Sequence, residues 1–419
     1  MPDIAVICLV VTALAAWFNA RFVHLPNTIG VMVIAMLLSL ALLGANALGF
    51  SEWYQYERSL MKEVDFTEVL MNGMLSLLLF ASALHVDVSL LKRYRWQVAR
   101  LAFLGTLVST LIVGFVLYWA LPLVGMPLSL GYCLVFGALI SPTDPIAVTG
   151  ILKSAGAPEN VNLVVSGESL FNDGVGVVLF TLMLGMVAHH QAPTAQDALW
   201  LLLREAGGGL LLGAVLGAVL VALLRSVDEP SVKVMLTLAG VLGGYALANR
   251  LHVSGPLAMV VVGLAVAYRG QHLAKNNLGR RYVDVFWSLL DEILNAVLFV
   301  LIGLEIVLVE LDSAYLRAGL VAVFVALGAR MFAVGVPLTL FPHWFHLPKG
   351  AWKVLAWGGL RGGISVALAL SLPASAERNL LLTMTYAVVV FSILVQGTTI
   401  GRVTRRVLGT SEAKADDAA

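Results

Sequence analysis

Charge is scarce in this chain. Of its 419 residues, 26 are Lys or Arg and 25 are Asp or Glu, 12% in all, about half the share of an ordinary soluble domain. That shortage excludes a water-soluble fold of this length. Cysteine is scarcer still: Cys8 and Cys133 both fall in apolar stretches, which excludes a disulfide framework, and no metal-ligand spacing is present. The net charge of +1 comes with no basic block of the kind that tracks a nucleic-acid backbone, so no polymeric partner is expected. The first apolar stretch, residues 3–20, lacks both the positive leading region and the small-residue cleavage site of a signal peptide, and reads as a retained span.

What is abundant is apolar. Hydrophobic residues make up 60% of the chain and recur in runs from end to end, the pattern of an all-α polytopic membrane protein. Runs long enough to cross the hydrocarbon number roughly thirteen. They lie at 3–20, 25–45, 66–90, 97–122, 128–152, 160–188, 198–224, 231–249, 253–270, 282–310, 314–340, 350–373 and 379–401. Three basic segments fall on one side of these spans: the loop Lys92-Arg93-Tyr94-Arg95, the loop holding Lys275, Arg280 and Arg281, and the tail with Arg402, Arg405 and Arg406. By the positive-inside rule that side is cytoplasmic, which puts the N-terminus outside and the C-terminus inside a plasma (inner) membrane. The opposite loops, around Glu52–Asp65, His189–Asp197 and Pro373–Asn379, are poor in Lys and Arg or carry acids beside them. Residues 406–419 form a short cytoplasmic tail, too small for a regulatory domain.

A weak internal repeat runs through the spans. Leu25–Gly30 opens the second span much as Val253–Leu257 opens the ninth, and Leu78–Asp87 in the third parallels Leu298–Glu305 in the tenth. The offset of seven spans is odd, so the two six-span halves are inverted: repeat one at about 1–190, a linking helix at about 197–225, and repeat two at about 230–403. The same offset pairs the fifth span with the twelfth, and both are interrupted. One carries Ser141-Pro142-Thr143-Asp144-Pro145, the other Trp357-Gly358-Gly359-Leu360-Arg361-Gly362-Gly363. Paired broken helices point to a midplane binding site, because unwound backbone frees carbonyls and helix ends for ions.

Inside the sixth span stands Gly167-Glu168-Ser169-Leu170-Phe171-Asn172-Asp173. An acid at the bilayer centre costs roughly 2.5–3.5 kcal/mol and by default marks an ion or proton pathway. Residues four apart share a helix face, so Ser169 and Asp173 line one face and Glu168 and Asn172 a neighbouring one. Asp173 with Ser169 offers oxygen ligands to a small hard cation. Glu168 calls for a buried cationic partner, and Arg361 is the obvious candidate. Asp144, between two prolines, either compensates positive half-helix ends or ligates the ion, the first being favoured; Thr143 and freed backbone then supply ligands. Arg361 is suited in the same way to negative helix ends. Asp87 reads as a helix-end or gate residue, His85 as a polar wall residue, and Arg330 as a partner of Glu305 or another acid, or a side chain reaching for headgroups. Glu305 is a structural ion-pair member or a proton relay, and Asp291 and Glu292 either line a negative funnel or face solvent.

With these residues in hand, the chain resembles the monovalent cation/proton antiporters of the NhaP and NHE type. The resemblance covers the membrane region, through Leu78–Asp87, Ser141–Ile151, Gly167–Phe180, Phe299–Glu305 and Trp357–Leu370. It implies the NhaA-like antiporter fold: thirteen helices, a dimerisation domain, a core domain with two crossed discontinuous helices, a homodimer, and elevator-like alternating access. It implies further that Asp173 carries Na+ or the proton, helped by Ser169, Asp144 and Thr143. Glu168 and Arg361 would form a stabilising ion pair joined by Asn172. The Asn172-Asp173 pair is similar to the electroneutral branch, one proton for one cation. Ala81-Ser82 departs from the pattern, standing where several relatives carry an acid. No cofactor is expected; Na+, or K+ or Li+, and H+ are the cargo.

Other classes fare worse. An intramembrane protease would need a small-residue elbow after Ser169 or a second Asp in a Gly-x-Gly-Asp setting, so the chain does not read as an enzyme. A channel would need a filter or ring around a pore. A potassium/proton antiporter of the same fold and, less favoured, a sodium-coupled solute symporter remain the alternatives.

Overall fold

The computed structural model describes residues 2–49, 55, 68–189, 195–272, 278–308 and 312–409. Most of the Glu52–Asp65 loop, Lys275 and residues 410–419 lie outside them. Among the described residues the chain is helical nearly throughout, and nine helices are long and apolar enough to cross a membrane unbroken. Leu75–Leu84, Leu130–Ile140 and Gly255–Tyr268 are shorter apolar helices. Apolar side chains such as Trp17, Leu107, Phe115, Leu211 and Phe324 face outward, as lipid permits and water would not.

The helices that matter below are α1 (Pro2–Phe18), α2 (Asn27–Ala47), α3 (Leu75–Leu84), α4 (Val88–Ala99), α5 (Thr106–Ala120), α6 (Leu130–Ile140), α7 (Ile146–Ser154), α8 (Glu159–His189) and α9 (Gly208–Arg225). They continue with α10 (Pro230–Leu251), α11 (Gly255–His272), α12 (Leu278–Leu304), α13 (Ser313–Leu340), α14 (Ala351–Trp357), α15 (Gly363–Leu370), α16 (Ala376–Phe391) and α17 (Thr398–Leu408). Two bundles result. In the scaffold, α2 packs on α12, α3 on α11 and α12, and α9 and α10 on α11. In the core bundle, α6 packs between α5 and α8, and α13 packs on α5, α14 and α16.

The offset read from the sequence reappears in the scaffold as packing. Gly263 of α11 lies so close to α3 that a Cβ there would stand 2.6 Å from Ala83 Cβ; Gly303 of α12 approaches α2 so that a Cβ would stand 2.7 Å from Ala35 Cβ. Exchanging α2 with α11 and α3 with α12 converts one contact into the other. Inverted halves dock by the same small-residue approach.

One expectation needs correction. The basic segment Lys92–Arg95 is not a loop but part of α4, which runs on through Arg100–Gly105 into α5. Leu91, Tyr94 and Val98 are buried at helical spacing while Lys92, Arg93 and Arg95 are exposed, so the segment is an amphipathic helix. Asp87 starts it, accepting from Ser89 N at 2.8 Å and Leu90 N at 3.0 Å, and Lys92 sits over the Tyr268 ring, 3.8 Å from its centroid.

Candidate functional site

The two broken helices cross at their breaks. Pro142 has no N–H to continue α6, and Pro145 opens α7, whose first turn bonds back to the Pro145 carbonyl from Thr149 N at 2.8 Å. Between them, Asp144 N donates to Leu360 O at 2.8 Å, joining one break to the other. The remaining freed groups are met by side chains. Arg361 donates to the Ser141 carbonyl and, at 2.8 Å, to the Pro142 carbonyl, at the negative end of α6. Ser392 Oγ accepts from Arg361 N at 2.8 Å, and Gln396 donates to Trp357 O at 2.9 Å, at the end of α14. Ser392 and Gln396 sit on a π-helical turn between α16 and α17. Irregular backbone survives at membrane depth because protein supplies its partners.

Glu168 finds its partner elsewhere than expected. Arg330 of α13 makes a two-pronged ion pair with it, Nη1 to Oε1 and, at 2.9 Å, Nη2 to Oε2, with both side chains buried. The expected Glu168–Arg361 pair is therefore corrected, and of the partners open to Arg330 it takes another acid, Glu168, rather than Glu305. The reason is local: a Cβ on Gly359 would lie 2.6 Å from Arg330 Nε, so the glycine opens the gap through which this guanidinium reaches α8. Arg361 is spent on the α6 carbonyls.

Ser169 and Asn172 act through Thr143. Thr143 Oγ1 shares a 2.8 Å hydrogen bond with Ser169 Oγ and accepts from Asn172 Nδ2 at 2.9 Å, while Thr143 N donates to Asn172 Oδ1 at 3.3 Å. Asn172 thus clamps the break to α8 with both ends of its amide.

A cavity of about 40 Å³ opens between the bundles beside this clamp, lined by Thr143, Asp144, Asp173 and Ser365 from the core and by Ser82 and Asn295 from the scaffold. It is large enough for a water or a partly dehydrated ion. Asp173 and Asp144 both line it, and two like charges so placed are relieved by a cation or a proton between them. Ser82, Pro145 and Leu170 also line a wider funnel of about 380 Å³, whose walls carry His85, Asp87, Lys153, Glu159 and Asp291. His85 is held by Ala81 O at 2.7 Å and Ser288 at 2.9 Å, and Glu292 is exposed. Glu305 does not line the funnel and is buried beside Tyr386.

Asp87 has two jobs that substitution separates. Asp87→Asn keeps a capping oxygen but removes a funnel charge, so the cation KM should rise about twofold at low ionic strength and match the parent in high salt. Asp87→Ala should in addition cost about 1 kcal/mol of stability, read as a lower melting temperature.

Asn295, Ser365, Ser392 and Gln396 went unread in the sequence. Isolated polar residues in apolar helices are common, and only the crossing shows which face the site. Polytopic helices with two breaks crossed beside buried carboxylates make this a secondary transporter by architecture. The chain belongs to the sodium/hydrogen exchanger family, whose transmembrane model matches residues 9–406. It is similar to the Na+/H+ antiporter NhaP of Pseudomonas aeruginosa, 48% identical over 97% of each chain, and to NhaH of Halobacillus dabanensis, 33% identical over 91% of this chain and 92% of that one. Its fold matches the sodium proton antiporter MjNhaP1 of Methanocaldococcus jannaschii at pH 8, with a TM-score of 0.75, 20% identity, and 96% of this chain and 97% of that one covered.

Proposed function

We infer that this protein exchanges Na+ for H+ across a membrane by alternating access, with Asp173 as the group for which cation and proton compete. The observation that carries this reading is the pair of carboxylates, Asp173 and Asp144, sharing one small cavity at the crossing, at the foot of a funnel. A carboxylate that must be neutralised either by a proton or by a cation, but not by both, couples the two flows without further machinery. Its four-residue neighbour Ser169 and the clamp residue Asn172 hold Thr143 in place as a ligand. Because position 172 is an amide, one titrating carboxylate on this helix supports one-for-one, electroneutral exchange.

The family and the names of the relatives support sodium as the cation. The funnel wall carries Lys153 and the start of α4, the helix that bears Lys92, Arg93 and Arg95, which supports a cytoplasmic opening, a cytoplasmic C-terminus and an external N-terminus in a plasma membrane. We read the protein as a homodimer on the family resemblance alone. Division into a repeat at 1–190, a linker at 197–225 and a repeat at 230–403 agrees with the exchanged glycine contacts.

The test is a purified protein in vesicles with an imposed pH gradient. Addition of Na+ should dissipate the gradient, and a panel with Li+ and K+ ranks the cations. A gradient that persists under all three would sink the reading. Clamping the membrane potential should leave the rate unchanged; strong voltage dependence would reject one-for-one exchange.

A further inference from the structure

Every ligand so far assigned to the cation belongs to the core bundle. The scaffold wall of the cavity is mostly leucine, with Leu75, Leu78, Leu79 and Leu298, but it carries one amide, Asn295 of α12. This side chain is only 1% exposed. Its Nδ2 donates to the Asp291 carbonyl at 2.7 Å and to Asp291 Oδ1 at 3.1 Å. A carbonyl oxygen and an ionised carboxylate only accept, so this end of the amide is the NH2 and the other end is the oxygen. That oxygen, Oδ1, is buried with no hydrogen-bond partner. An amide carbonyl taken out of water and left unmet is unfavourable unless something else meets it. Here the residue lines a cavity that also holds Thr143, Asp144, Asp173 and Ser365, all oxygen donors of the kind a hard monovalent cation takes.

We propose that Asn295 supplies an oxygen ligand to the transported cation from the scaffold wall, aimed by Asp291, and only while the cavity opens to the funnel. The role rests on the exchange reading above and adds sidedness to it. Asp173, Asp144 and Thr143 travel with the core bundle as access alternates, whereas Asn295 stays with α12. The cation therefore has one more ligand on the funnel face than on the other, and the two faces differ in affinity through this one residue. Asp291, on the funnel wall, links the two compartments: its carboxylate draws cations in while its acceptors hold the amide in register.

Membrane vesicles of the two orientations separate this role from a packing role. Asn295→Leu keeps similar bulk without the oxygen, and Asn295→Ala removes both. Each should raise the Na+ KM from the funnel face about five- to tenfold and leave the KM from the opposite face at the parent value. An unchanged KM on the funnel face, or an equal rise on both faces, overturns the proposal, the second being what loosened packing would give. Asp291→Ala, measured in high salt to screen its charge, should give a smaller rise confined to the same face. Should the Asn295 variants not fold, Asp291→Ala decides alone, and a parent-like KM there overturns the proposal. Asp173→Asn run alongside keeps the two ideas apart: exchange that survives it rejects the exchange reading itself, whatever Asn295 does.

Discussion

Asp173→Asn should reduce cation/proton exchange to the level of protein-free vesicles while leaving the protein folded. Asn has nearly the same shape and still offers an oxygen, so packing between α8 and the crossing is kept. What it loses is the charge that a cation or proton must neutralise. Replacing one of two carboxylates that line one small cavity also removes a like charge from it, so the melting temperature should equal or exceed that of the parent. A second readout is independent of transport. A ligand that binds only the folded protein stabilises it by RT ln(1 + [L]/Kd), so Na+ should raise the parent's melting temperature and leave that of Asp173→Asn unmoved. A variant that is still stabilised by Na+ would place the cation elsewhere.

Arg330→Ala should be the most damaging substitution for stability. Removing one partner of a buried ion pair leaves the other charge uncompensated, which costs about 3–5 kcal/mol, whereas replacing both partners by neutral groups is often nearly neutral. Glu168 is 1% exposed and receives both prongs of Arg330, so the single variant should lose much of its yield and melt many degrees lower. The double variant Glu168→Gln with Arg330→Met should recover most of that loss. Combining Glu168→Gln with Arg361→Met should recover little, because Arg361 serves the Ser141 and Pro142 carbonyls and leaves them unmet when removed. Equal recovery in both cycles would restore Arg361 as the partner of Glu168.

Those two arginines mark where the sequence could be read and where it could not. The breaks were legible because proline and glycine act locally: Pro142 ends a helix whatever surrounds it, and Gly358–Gly363 permits unwinding whatever packs there. The spacing of Ser169 and Asp173 is equally local, since a helix of fixed pitch decides which residues share a face. Pairing between helices is not local. Arg330 and Glu168 are 162 positions apart, and the gap that lets them meet is left by a third residue, Gly359, in the break between α14 and α15. Asn172 shows the same limit on a smaller scale, since periodicity put it beside Glu168 while the structure turns it to Thr143. Lys92–Arg95 failed for another reason: a burst of charge reads as a loop unless the apolar positions between are counted at helical period.

The crossing also bears on how freely the molecule can turn over. Each hydrogen bond that secures it, from Asp144 to Leu360, from Arg361 to Ser141 and Pro142, and from Gln396 to Trp357, joins parts of one bundle. Apart from Ser82 and Asn295, the wall opposite offers Leu70, Leu75, Leu78, Leu79 and Leu298, which hold by dispersion alone. That plane behaves as a greased bearing. Its friction is set by side-chain fit and by the order of the surrounding acyl chains, so the temperature at which a given membrane stiffens should throttle the exchanger before any ion fails to bind.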